Sequence, residues 1–395
     1  MTITFVSNYI NHHQIPLSNE MYKLIGDDYH FIQLEEMEED RVLMGWQSEI
    51  GELPYLQIYS DNEYKNMKMI LESDVVIYGG TDDEYYVEDR LKSGKITIRY
   101  AERFYKDGVW KAISPKGIVK KYKDHTQYNK NPVYLLCAGA YVAYDYSIVK
   151  AYPGKKFKFG YFPQTQEYDL EELFAAKQHN KIKILWAGRF IDWKHPELMI
   201  ELAKYLRKKS IPFEMNMIGG GDLEGEIHNQ LRDGDLFDDV HLLGYKTPTQ
   251  VREYMITSNI YISTSDYHEG WGAVINEAMN SGCAVVACHA LGSVPYLIEH
   301  EKNGIVYKYK KKRQLFKAVK KLISSPERRR ELGENAYKTI TREWNEKVVA
   351  QRLIDLCDNL SQDKIVFEKK GPLSEAEVVK ERRMYRSMIN ISKNR

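Results

Sequence analysis

The chain has 395 residues, which is room for two domains of about 150 residues and some additional elements. Its formal net charge of +1 argues against a nucleic-acid-binding protein held by a positive field over the whole molecule. With 43% apolar and 29% charged residues, the composition excludes a disordered or fibrous chain and predicts a sizeable core.

Neither a membrane-spanning helix nor an export signal is predicted. The longest strongly apolar run, 133–144, has 12 residues, whereas a helix needs roughly 20 to span a bilayer. The N-terminus enters a strand pattern without a basic start or an apolar targeting core, so we expect a cytoplasmic protein. Cys283 and Cys288 lie five residues apart on opposite faces of an apolar run, and we interpret them as buried, reduced thiols rather than disulfide or zinc partners.

The first part of the chain begins with a predicted strand at 3–6, followed by His12 and His13 and a helix-like run. Residues 74–78 and 95–98 are typical of further buried strands. This part therefore has the beginnings of an alternating strand and helix pattern.

Charge is unevenly distributed along this first part. Residues 35–90 contain 16 acidic and 4 basic side chains, whereas residues 91–160 contain 15 basic and 4 acidic ones. In the stretch 103–123 the basic residues alternate with aromatic ones. Such a stretch could contact an anionic membrane surface, at about 1 kcal/mol per nearby Lys or Arg. The alternative is a solvated face that balances the acidic segment, and both interpretations stay open.

In the second part, short apolar runs alternate with helical patterns. The predicted strands are 183–187, 215–218, 240–243, 260–263, 284–287 and 305–307. Helices are predicted to begin at Pro196, Asp222 and Pro248, each with a suitable start residue. Six strands with intervening helices predict a parallel, doubly wound sheet.

Two Rossmann-like domains in tandem are therefore the predicted α/β architecture. The connection is expected at 152–166, where Pro153, Gly154, Gly160 and Pro163 interrupt both periodicities. We assign the domains as 1–163, 164–344 and a helical C-terminal segment, 345–395. In that last segment, one helix carries four partly apolar side chains on one side: Met384, Tyr385, Met388 and Ile389.

The residues that follow the predicted strands carry the chemistry, because ligands of doubly wound domains gather beyond the carboxyl ends of the strands. Arg189 and Lys194 follow the strand 183–187 and can place a guanidinium and an ammonium beside the same oxyanions, as a diphosphate requires. Gly219, Gly220 and Gly221 follow the next strand and allow backbone N–H groups to approach a phosphate. A tight turn would explain these glycines equally well.

The most informative motif is SDYHEGWGAVINEAMNSG at 265–282. Gly270 and Gly272 allow the loop to bend into a helix N-terminus, which favours phosphate. Glu277 lies on the same helical face as Ala273, and a carboxylate there would accept hydrogen bonds from sugar hydroxyls. Glu269 would do the same for a second sugar. Cations that bind a diphosphate, together with carboxylates that accept hydrogen bonds from a sugar on each side of it, indicate a site for a nucleotide-sugar.

This motif, together with AGRFIDWKH before it and ALGSVPYLI and NGIVY after it, resembles the retaining glycosyltransferases of family 4, over about residues 180–345. The resemblance implies the GT-B fold, in which two Rossmann-like domains face each other across a cleft and the last helix returns to the N-terminal domain. It implies that Arg189 and Lys194 neutralise the leaving nucleoside diphosphate, that Glu269 holds the donor sugar and that Glu277 holds the ribose. The main chain around 244–246 is then expected to meet the base.

The predicted site thus has two groups of residues. The catalytic group comprises Arg189, Lys194 and Glu269. The donor-binding group comprises Gly219, Gly220, Gly244, Tyr245, Gly270, Trp271, Gly272, Ala273 and Glu277. No metal and no resident cofactor are expected, since fixed cations can neutralise the leaving group and the carboxylates at 82–84 have no histidine pair at metal spacing.

The acceptor side is less well defined. Where the family often has a histidine near the reacting carbon, this chain has Glu102 and Arg103. His12 and His13 after the first strand are alternatives, and Asp82 and Asp83 after another strand are further ones.

The predicted function is a hexosyltransferase-type transfer of a sugar, with a UDP-sugar favoured as donor, to a saccharide or lipid-linked saccharide in polysaccharide biosynthesis. Retention is implied by the resemblance alone. We expect a cytoplasmic protein, with contact to the inner face of a membrane as a hypothesis and no nucleic-acid partner. The alternatives are a non-catalytic GT-B subunit that binds a partner or glycan, and a sugar phosphorylase that uses free phosphate.

Overall fold

The computed structural model describes residues 1–39, 42 and 52–393 and divides the chain into two compact units. The N-terminal unit comprises Met1–Gln164 and Trp344–Glu381. The C-terminal unit comprises Thr165–Glu343 and the chain from Arg382 onward. Part of the acidic segment 35–90, namely 40, 41 and 43–51, lies outside the described residues.

The described strands and helices alternate along most of the chain. The strands are β1 (Ile3–Ser7), β2 (Tyr29–Gln33), β3 (Leu56–Ile58), β4 (Val75–Gly79), β5 (Thr97–Ala101), β6 (Val133–Ala138), β7 (Lys156–Phe159), β8 (Ile182–Ala187), β9 (Phe213–Ile218), β10 (Val240–Leu242), β11 (Ile260–Ser263), β12 (Ala284–Cys288) and β13 (Ile305–Tyr307). The helices are α1 (Ile15–Ile25), α2 (Glu63–Glu72), α3 (Glu88–Ser93), α4 (Pro115–Asp124), α5 (Val142–Ile148), α6 (Leu170–Ala175), α7 (Glu197–Lys208), α8 (Glu224–Asp233), α9 (Pro248–Thr257), α10 (Val274–Asn280), α11 (Val294–Leu297), α12 (Lys312–Ile323), α13 (Pro326–Arg342), α14 (Glu346–Ser361) and α15 (Glu381–Lys393).

The N-terminal unit is built on a parallel sheet in the order β3-β2-β1-β4-β5-β6-β7. Strands β1 and β4 are buried along their whole length, as expected for a sheet covered on both faces. Helix α14 packs against α1, and it begins where the Asn345 side chain accepts a hydrogen bond from the backbone N–H of Val348 (2.9 Å). The strand order reverses between β1 and β4, which makes their carboxyl ends the switch point of this sheet.

The C-terminal unit has a second parallel sheet in the order β10-β9-β8-β11-β12-β13. Helix α7 buries Met199, Leu202 and Leu206, whose spacing of three and four residues puts them on the face that meets the sheet. Helix α9 begins with a capping box between Thr247 and Gln250. Here the strand order reverses between β8 and β11, so a ligand site is expected where these two strands end.

Two doubly wound parallel sheets confirm the predicted fold class, but two local expectations differ from the structure. The connection predicted at 152–166 contains strand β7, because the alternating sequence KFKF pairs with β6 after a turn at Gly154 (φ +69°). The segment 345–395 was expected to return as a whole to the N-terminal domain. Only its part up to Glu381 belongs to the N-terminal unit, whereas Tyr385 contacts His289 and Gln314 of the C-terminal unit (ring centroids 5.3 Å apart; hydroxyl to amide oxygen 3.3 Å).

None of the helices in the described parts of the chain combines the length and the apolar composition that a bilayer crossing requires. All four cysteines are buried free thiols: Cys137, Cys283, Cys288 and Cys357.

Candidate active site

The loop after β8 carries the two predicted cations. Arg189 is half-buried at the start of the loop, and its guanidinium lies 5.8 Å from the ring centroid of Trp193. Within the part of the chain that the structure describes, the Arg189 side chain forms no ion pair. Lys194 ends a short 3-10 helix, Asp192–Lys194. The loop thus carries one guanidinium without an ion pair among the described residues and, five residues further on, one ammonium.

Lys194 and Glu269 are in direct contact. The ammonium nitrogen lies 2.5 Å from Oε2 of Glu269, and the side chains are 15% and 19% exposed. The two residues are 75 positions apart and follow different strands, β8 and β11, so the fold rather than local sequence brings them together. The structure therefore brings the lysine predicted to bind the diphosphate into contact with the glutamate predicted to bind the sugar, at the switch point of the C-terminal unit.

Hydrogen bonds to backbone carbonyls connect the two loops that carry Lys194 and Glu269. The N–H of Asp266 donates to the carbonyl of Trp193 (2.9 Å), and the hydroxyl of Thr264 donates to the carbonyl of Lys194. Thr264 is held in turn by the indole N–H of Trp186 (2.8 Å). The positions of Lys194 and Glu269 are therefore set by the scaffold beneath them.

A further link between these loops was not predicted from the sequence. His195, in the left-handed conformation (φ +51°), contacts Glu197 through Nδ1 (3.0 Å) and Asp266 through Nε2 (3.4 Å). Asp266 also contacts Nδ1 of His268 (2.8 Å) and accepts a hydrogen bond from the hydroxyl of Tyr309 (3.2 Å). A histidine directly after Lys194 and an aspartate directly after Ser265 are the signals that could have indicated this cluster.

Charge in this cluster is strongly stabilised. Hydrogen bonds to Asp266 and Glu197 raise the pKa of His195 to about 9. Burial alone would raise the pKa of Asp266, but hydrogen bonds from His195 and His268 outweigh it and lower the pKa to about 2. The imidazolium and the carboxylate thus form a charged clamp between the two loops at neutral pH.

Glu277 lies on α10 near the same strand ends. Its carboxylate is 4.0 Å from the guanidinium of Arg252. The hydroxyl of Tyr261, on β11, donates a hydrogen bond to the carbonyl of Ala187 (3.3 Å). Burial of this hydroxyl, and next the negative charges of Glu277 and Glu269, raise the pKa of Tyr261 well above its ordinary value. One buried hydroxyl is therefore close to both carboxylates and to the strand end that precedes Arg189.

The glycines after β9 have a definite packing role. A Cβ on Gly219 (φ +125°) would lie 2.0 Å from the carbonyl oxygen of Gly188, so only glycine fits there. The N–H of Gly219 donates to the carbonyl of Gly244 (2.9 Å), which draws the loops after β8, β9 and β10 together. Gly220 lies against the ring of Tyr245, which is 53% exposed. The glycine loop and Tyr245 thus adjoin the loop of Arg189.

The segment before α10 is also held by close backbone contacts. A Cβ on Gly292 would lie 1.7 Å from the carbonyl oxygen of Gly270, and Gly272 adopts φ +75°. The side chain of Trp271 is completely buried, and its indole N–H donates to Asn276 (2.9 Å). Trp271, predicted among the donor-binding residues, can therefore reach a ligand only through its backbone, as can Gly270, Gly272 and Ala273.

In the N-terminal unit, Glu102 is engaged by neighbours. It accepts hydrogen bonds from Lys106 and from the hydroxyl of Tyr161 (2.7 Å each), and Tyr161 stacks on His13 with centroids 5.8 Å apart. His12 and His13 lie next to each other (centroids 3.8 Å apart). Glu102 and His13 are thus connected through one tyrosine.

Arg103 has a structural position. Its guanidinium contacts both carboxylate oxygens of Asp145 (3.3 Å each), and both side chains are almost fully buried. A second contact reaches Glu381 (3.3 Å). A side chain so enclosed is not available to an acceptor.

The aspartates after β4 differ in role. Asp83 accepts a hydrogen bond from the N–H of Tyr85 (2.9 Å) and so caps a turn. Asp82 lines a small cavity of about 40 Å³ beside Lys120 and Lys121. Among residues 1–39, 42 and 52–393, no three side chains of His, Cys, Asp or Glu are grouped as a metal site would need.

Two doubly wound parallel sheets, with a cation and a carboxylate in contact at the switch point of the second, are the architecture of the GT-B fold. Comparison with solved structures supports this: the structure of HepE from Anabaena in complex with UDP aligns with a TM-score of 0.67 and 15% identity, over 91% of this chain and 100% of that one. The apo form of the lipopolysaccharide outer core galactosyltransferase WaaB aligns with a TM-score of 0.64 and 15% identity, over 91% and 99%. At this identity the likeness shows the fold.

Residues 170–339 match the family described as glycosyl transferases group 1. The amylovoran biosynthesis glycosyltransferase AmsK of Erwinia amylovora is 33% identical over 131 residues, which are 32% of each chain. The poly(ribitol-phosphate) alpha-N-acetylglucosaminyltransferase of Staphylococcus aureus is 25% identical over 204 residues, which are 49% of this chain and 41% of that one. The chain thus spans less than half the length of these curated relatives. The family match, 170–339, includes Arg189, Lys194, Glu269 and Glu277.

Proposed function

We propose that this protein is a glycosyltransferase that moves a hexose-type sugar from a nucleoside-diphosphate sugar, with UDP favoured, to a saccharide or lipid-linked saccharide. We propose further that the transfer retains the anomeric configuration and needs no metal, and that it serves polysaccharide biosynthesis in the cytoplasm, at or near the inner face of a membrane. The observation that carries the proposal is the 2.5 Å contact between Lys194 and Glu269 at the switch point where Arg189 and Glu277 also lie.

Charge complementarity supports a diphosphate as the central part of the ligand. The guanidinium of Arg189 forms no ion pair within the described residues, and Lys194 lies five residues further along the same loop. Arg189 can bind two phosphate oxygens as a planar fork, whereas Lys194 acts as a point charge.

Sugar hydroxyls account for the carboxylates. A phosphate would be repelled by Glu269 and Glu277, but neutral hydroxyls can donate hydrogen bonds to both. In the proposed arrangement, Glu269 binds the transferred sugar beside the diphosphate and Glu277 binds the ribose. The exposed ring of Tyr245, next to the glycine loop, offers an apolar surface to the base.

The reaction that follows breaks the bond between the anomeric carbon and the diphosphate oxygen, which leaves with the electron pair. The acceptor hydroxyl forms the new bond to that carbon, and its proton passes to the departing diphosphate oxygen. Negative charge grows on the diphosphate as the bond breaks, so Arg189 and Lys194 stabilise the transition state more than the ground state. A fixed pair of cations can perform this task without a metal.

Residues that would contact the acceptor lie in the N-terminal unit. Glu102, His12 and His13 stay candidates for contact with the acceptor, and the chain His13, Tyr161, Glu102 links two of them. Arg103 is withdrawn as a candidate because it is enclosed with Asp145.

Related proteins support the substrate classes. Solved structures of HepE hold UDP, or UDP-glucose, on the same fold. AmsK is named for amylovoran biosynthesis, and the Staphylococcus aureus relative is named as a poly(ribitol-phosphate) alpha-N-acetylglucosaminyltransferase. These are properties of those proteins, and they favour a UDP-sugar and a polymeric acceptor here.

The proposal is tested by incubating the purified full chain with UDP-, GDP- and ADP-sugars, with and without a membrane extract as acceptor source, and measuring nucleoside diphosphate release. We expect turnover with one UDP-sugar. Lys194→Ala should lower kcat about 100- to 1000-fold, as for other removed transition-state contacts. Arg232→Ala, an exposed arginine on α8, is the matched control and should retain full rate.

The other outcomes are distinct. No turnover with any donor, together with wild-type biological function of Lys194→Ala, would instead favour a non-catalytic subunit. Glycan cleavage that depends on free phosphate and not on nucleotide would instead indicate a phosphorylase.

A further inference from the structure

The segment 109–123 of the N-terminal unit exposes an unusual number of apolar side chains. Of the sixteen large hydrophobic residues that are exposed among the described ones, six lie in this short stretch. Trp110 is 65% exposed and Ile113 is 78% exposed. The six residues are Val109, Trp110, Ile113, Ile118, Val119 and Tyr122. We call this segment the basic apolar surface.

The secondary structure of the segment leaves these side chains outside. It forms a 3-10 helix, Val109–Ile113, followed by α4, and neither helix buries a residue. Lys121 marks the inner side of α4, because its ammonium lies 3.7 Å from the ring centroid of Phe104. At about 100° per residue, Ile118, Tyr122 and Val119 cover an arc of about 100° that does not include Lys121. The apolar arc therefore faces away from the protein.

Positive charge borders this apolar arc. The segment 109–123 contains five lysines and no carboxylate. On the helical projection of α4, Lys116, Lys120 and Lys123 follow directly after Val119. Lys120 pairs with Asp124 (3.0 Å), whereas Lys116 and Lys123 are exposed and form no ion pair within the described residues. Two cations thus lie beside exposed apolar side chains without a protein partner.

We infer that the basic apolar surface docks on an anionic lipid membrane. Tryptophan and tyrosine fit the boundary between headgroups and acyl chains, isoleucine and valine enter the apolar region, and the lysines meet lipid phosphates. A basic face that only balanced the acidic segment in water would have no need of exposed Trp110 and Ile113. The basic apolar surface belongs to the N-terminal unit and includes neither Arg189 nor Lys194, so vesicle binding and sugar transfer can be measured independently.

The test is flotation of the full chain with vesicles of phosphatidylcholine alone and of phosphatidylcholine with phosphatidylglycerol. We expect flotation only with phosphatidylglycerol, and release as salt shortens the Debye length from about 10 Å at 0.1 M to about 3 Å at 1 M. Lys116→Ala with Lys123→Ala should weaken binding roughly 30-fold, at about 1 kcal/mol per lysine. The control, Lys208→Ala with Lys209→Ala, removes two exposed lysines elsewhere and should bind as wild type.

The apolar part is tested by Trp110→Ser with Ile113→Ser, compared with Tyr64→Ser, which removes an apolar side chain that is 83% exposed on α2. Only the first variant should lose vesicle binding. Equal binding to both vesicle types, or binding to neither, would overturn the inference. A concentration-dependent dimer that Trp110→Ser and Ile113→Ser abolish would overturn it too, because a second copy would then be the partner.

Discussion

The carboxyl ends of the two sheets hold their charged side chains in different ways. In the C-terminal unit, Lys194 and Glu269 follow different strands and meet in a partly exposed position. In the N-terminal unit, Glu102 pairs with Lys106 only four residues further on, and Arg103 pairs with Asp145 in the interior. Charges that follow a strand therefore indicate a ligand site only where residues of separate strands converge and stay accessible.

The largest expected effect on stability comes from replacing Arg103, whose role is structural. Arg103→Ala leaves the carboxylate of Asp145 buried without its cation, which should lower the free energy of unfolding by about 3–5 kcal/mol. Urea unfolding would measure this. Lys92→Ala, which breaks an exposed pair with Glu88, is the control and should leave the free energy of unfolding nearly unchanged. Equal stability of the two variants would contradict the structural role.

A smaller effect is expected where the loops of the C-terminal unit meet through glycine. Gly219→Ala places a Cβ 2.0 Å from the carbonyl oxygen of Gly188 at φ +125°, so the loops must separate. We expect a loss of about 1–3 kcal/mol in the free energy of unfolding and at least about tenfold weaker UDP binding by calorimetry. Gly225→Ala on α8 has open space around the new methyl group and should be neutral or slightly stabilising. If both variants bound UDP equally, the glycine loop would not belong to the donor site.

The smallest effect concerns the proton on His195. Its pKa of about 9 lies above the unfolded value near 6.5, so the stabilisation from the charged clamp is complete below about 6.5 and is lost as pH rises through 9. The groups that face the imidazole are Glu197, Asp266 and Tyr309. We expect UDP affinity to fall severalfold between pH 7.5 and about 9.5 because the loops of Lys194 and Glu269 loosen.

His195→Asn keeps a residue that tolerates φ +51° but removes the titration. Its UDP affinity should be lower at pH 7.5 and nearly constant up to about pH 9.5. A variant that shows the same decline as wild type would exclude His195 as its source. Titration calorimetry with His179→Asn, an exposed histidine, as the matched control decides between these results.

The fold of the C-terminal unit was largely predictable from the sequence. All six of its strands were predicted, with bounds within two residues, because each is a short apolar run between clear breakers. In the N-terminal unit, strands β2, β3, β6 and β7 were missed; β6 lies in the apolar run 133–144, which was considered only as a membrane-spanning candidate. Strand β2 contains His30 and Gln33, β3 has only three residues, and β7 alternates Lys and Phe beside Pro153 and Gly154. Their pairing partners, rather than their own composition, make them strands.

The charged residues of the candidate site were predictable from the sequence, whereas the contacts that hold them in position were not. The order and spacing of Arg189, Lys194, Glu269 and Glu277 indicated a common ligand; the structure brings Lys194 and Glu269 into contact, and Arg189 and Glu277 follow the same two strands, β8 and β11. The contact between His195 and Asp266 joins residues 71 positions apart, so their places directly after Lys194 and Ser265 indicate the two loops but not the contact itself. Trp271 was included for its place in the motif, whereas its packing against Asn276 depends on the folded core.

The contact between Lys194 and Glu269 also has a consequence for selectivity. In the absence of a donor, the carboxylate already serves as the counter-ion of the ammonium, so a small inorganic anion gains little by competing for it. A ligand that brings oxyanions and hydroxyls together can satisfy both side chains at once. For the proposed function, we therefore expect the pair to discriminate between a sugar-bearing diphosphate and free phosphate before any chemistry takes place.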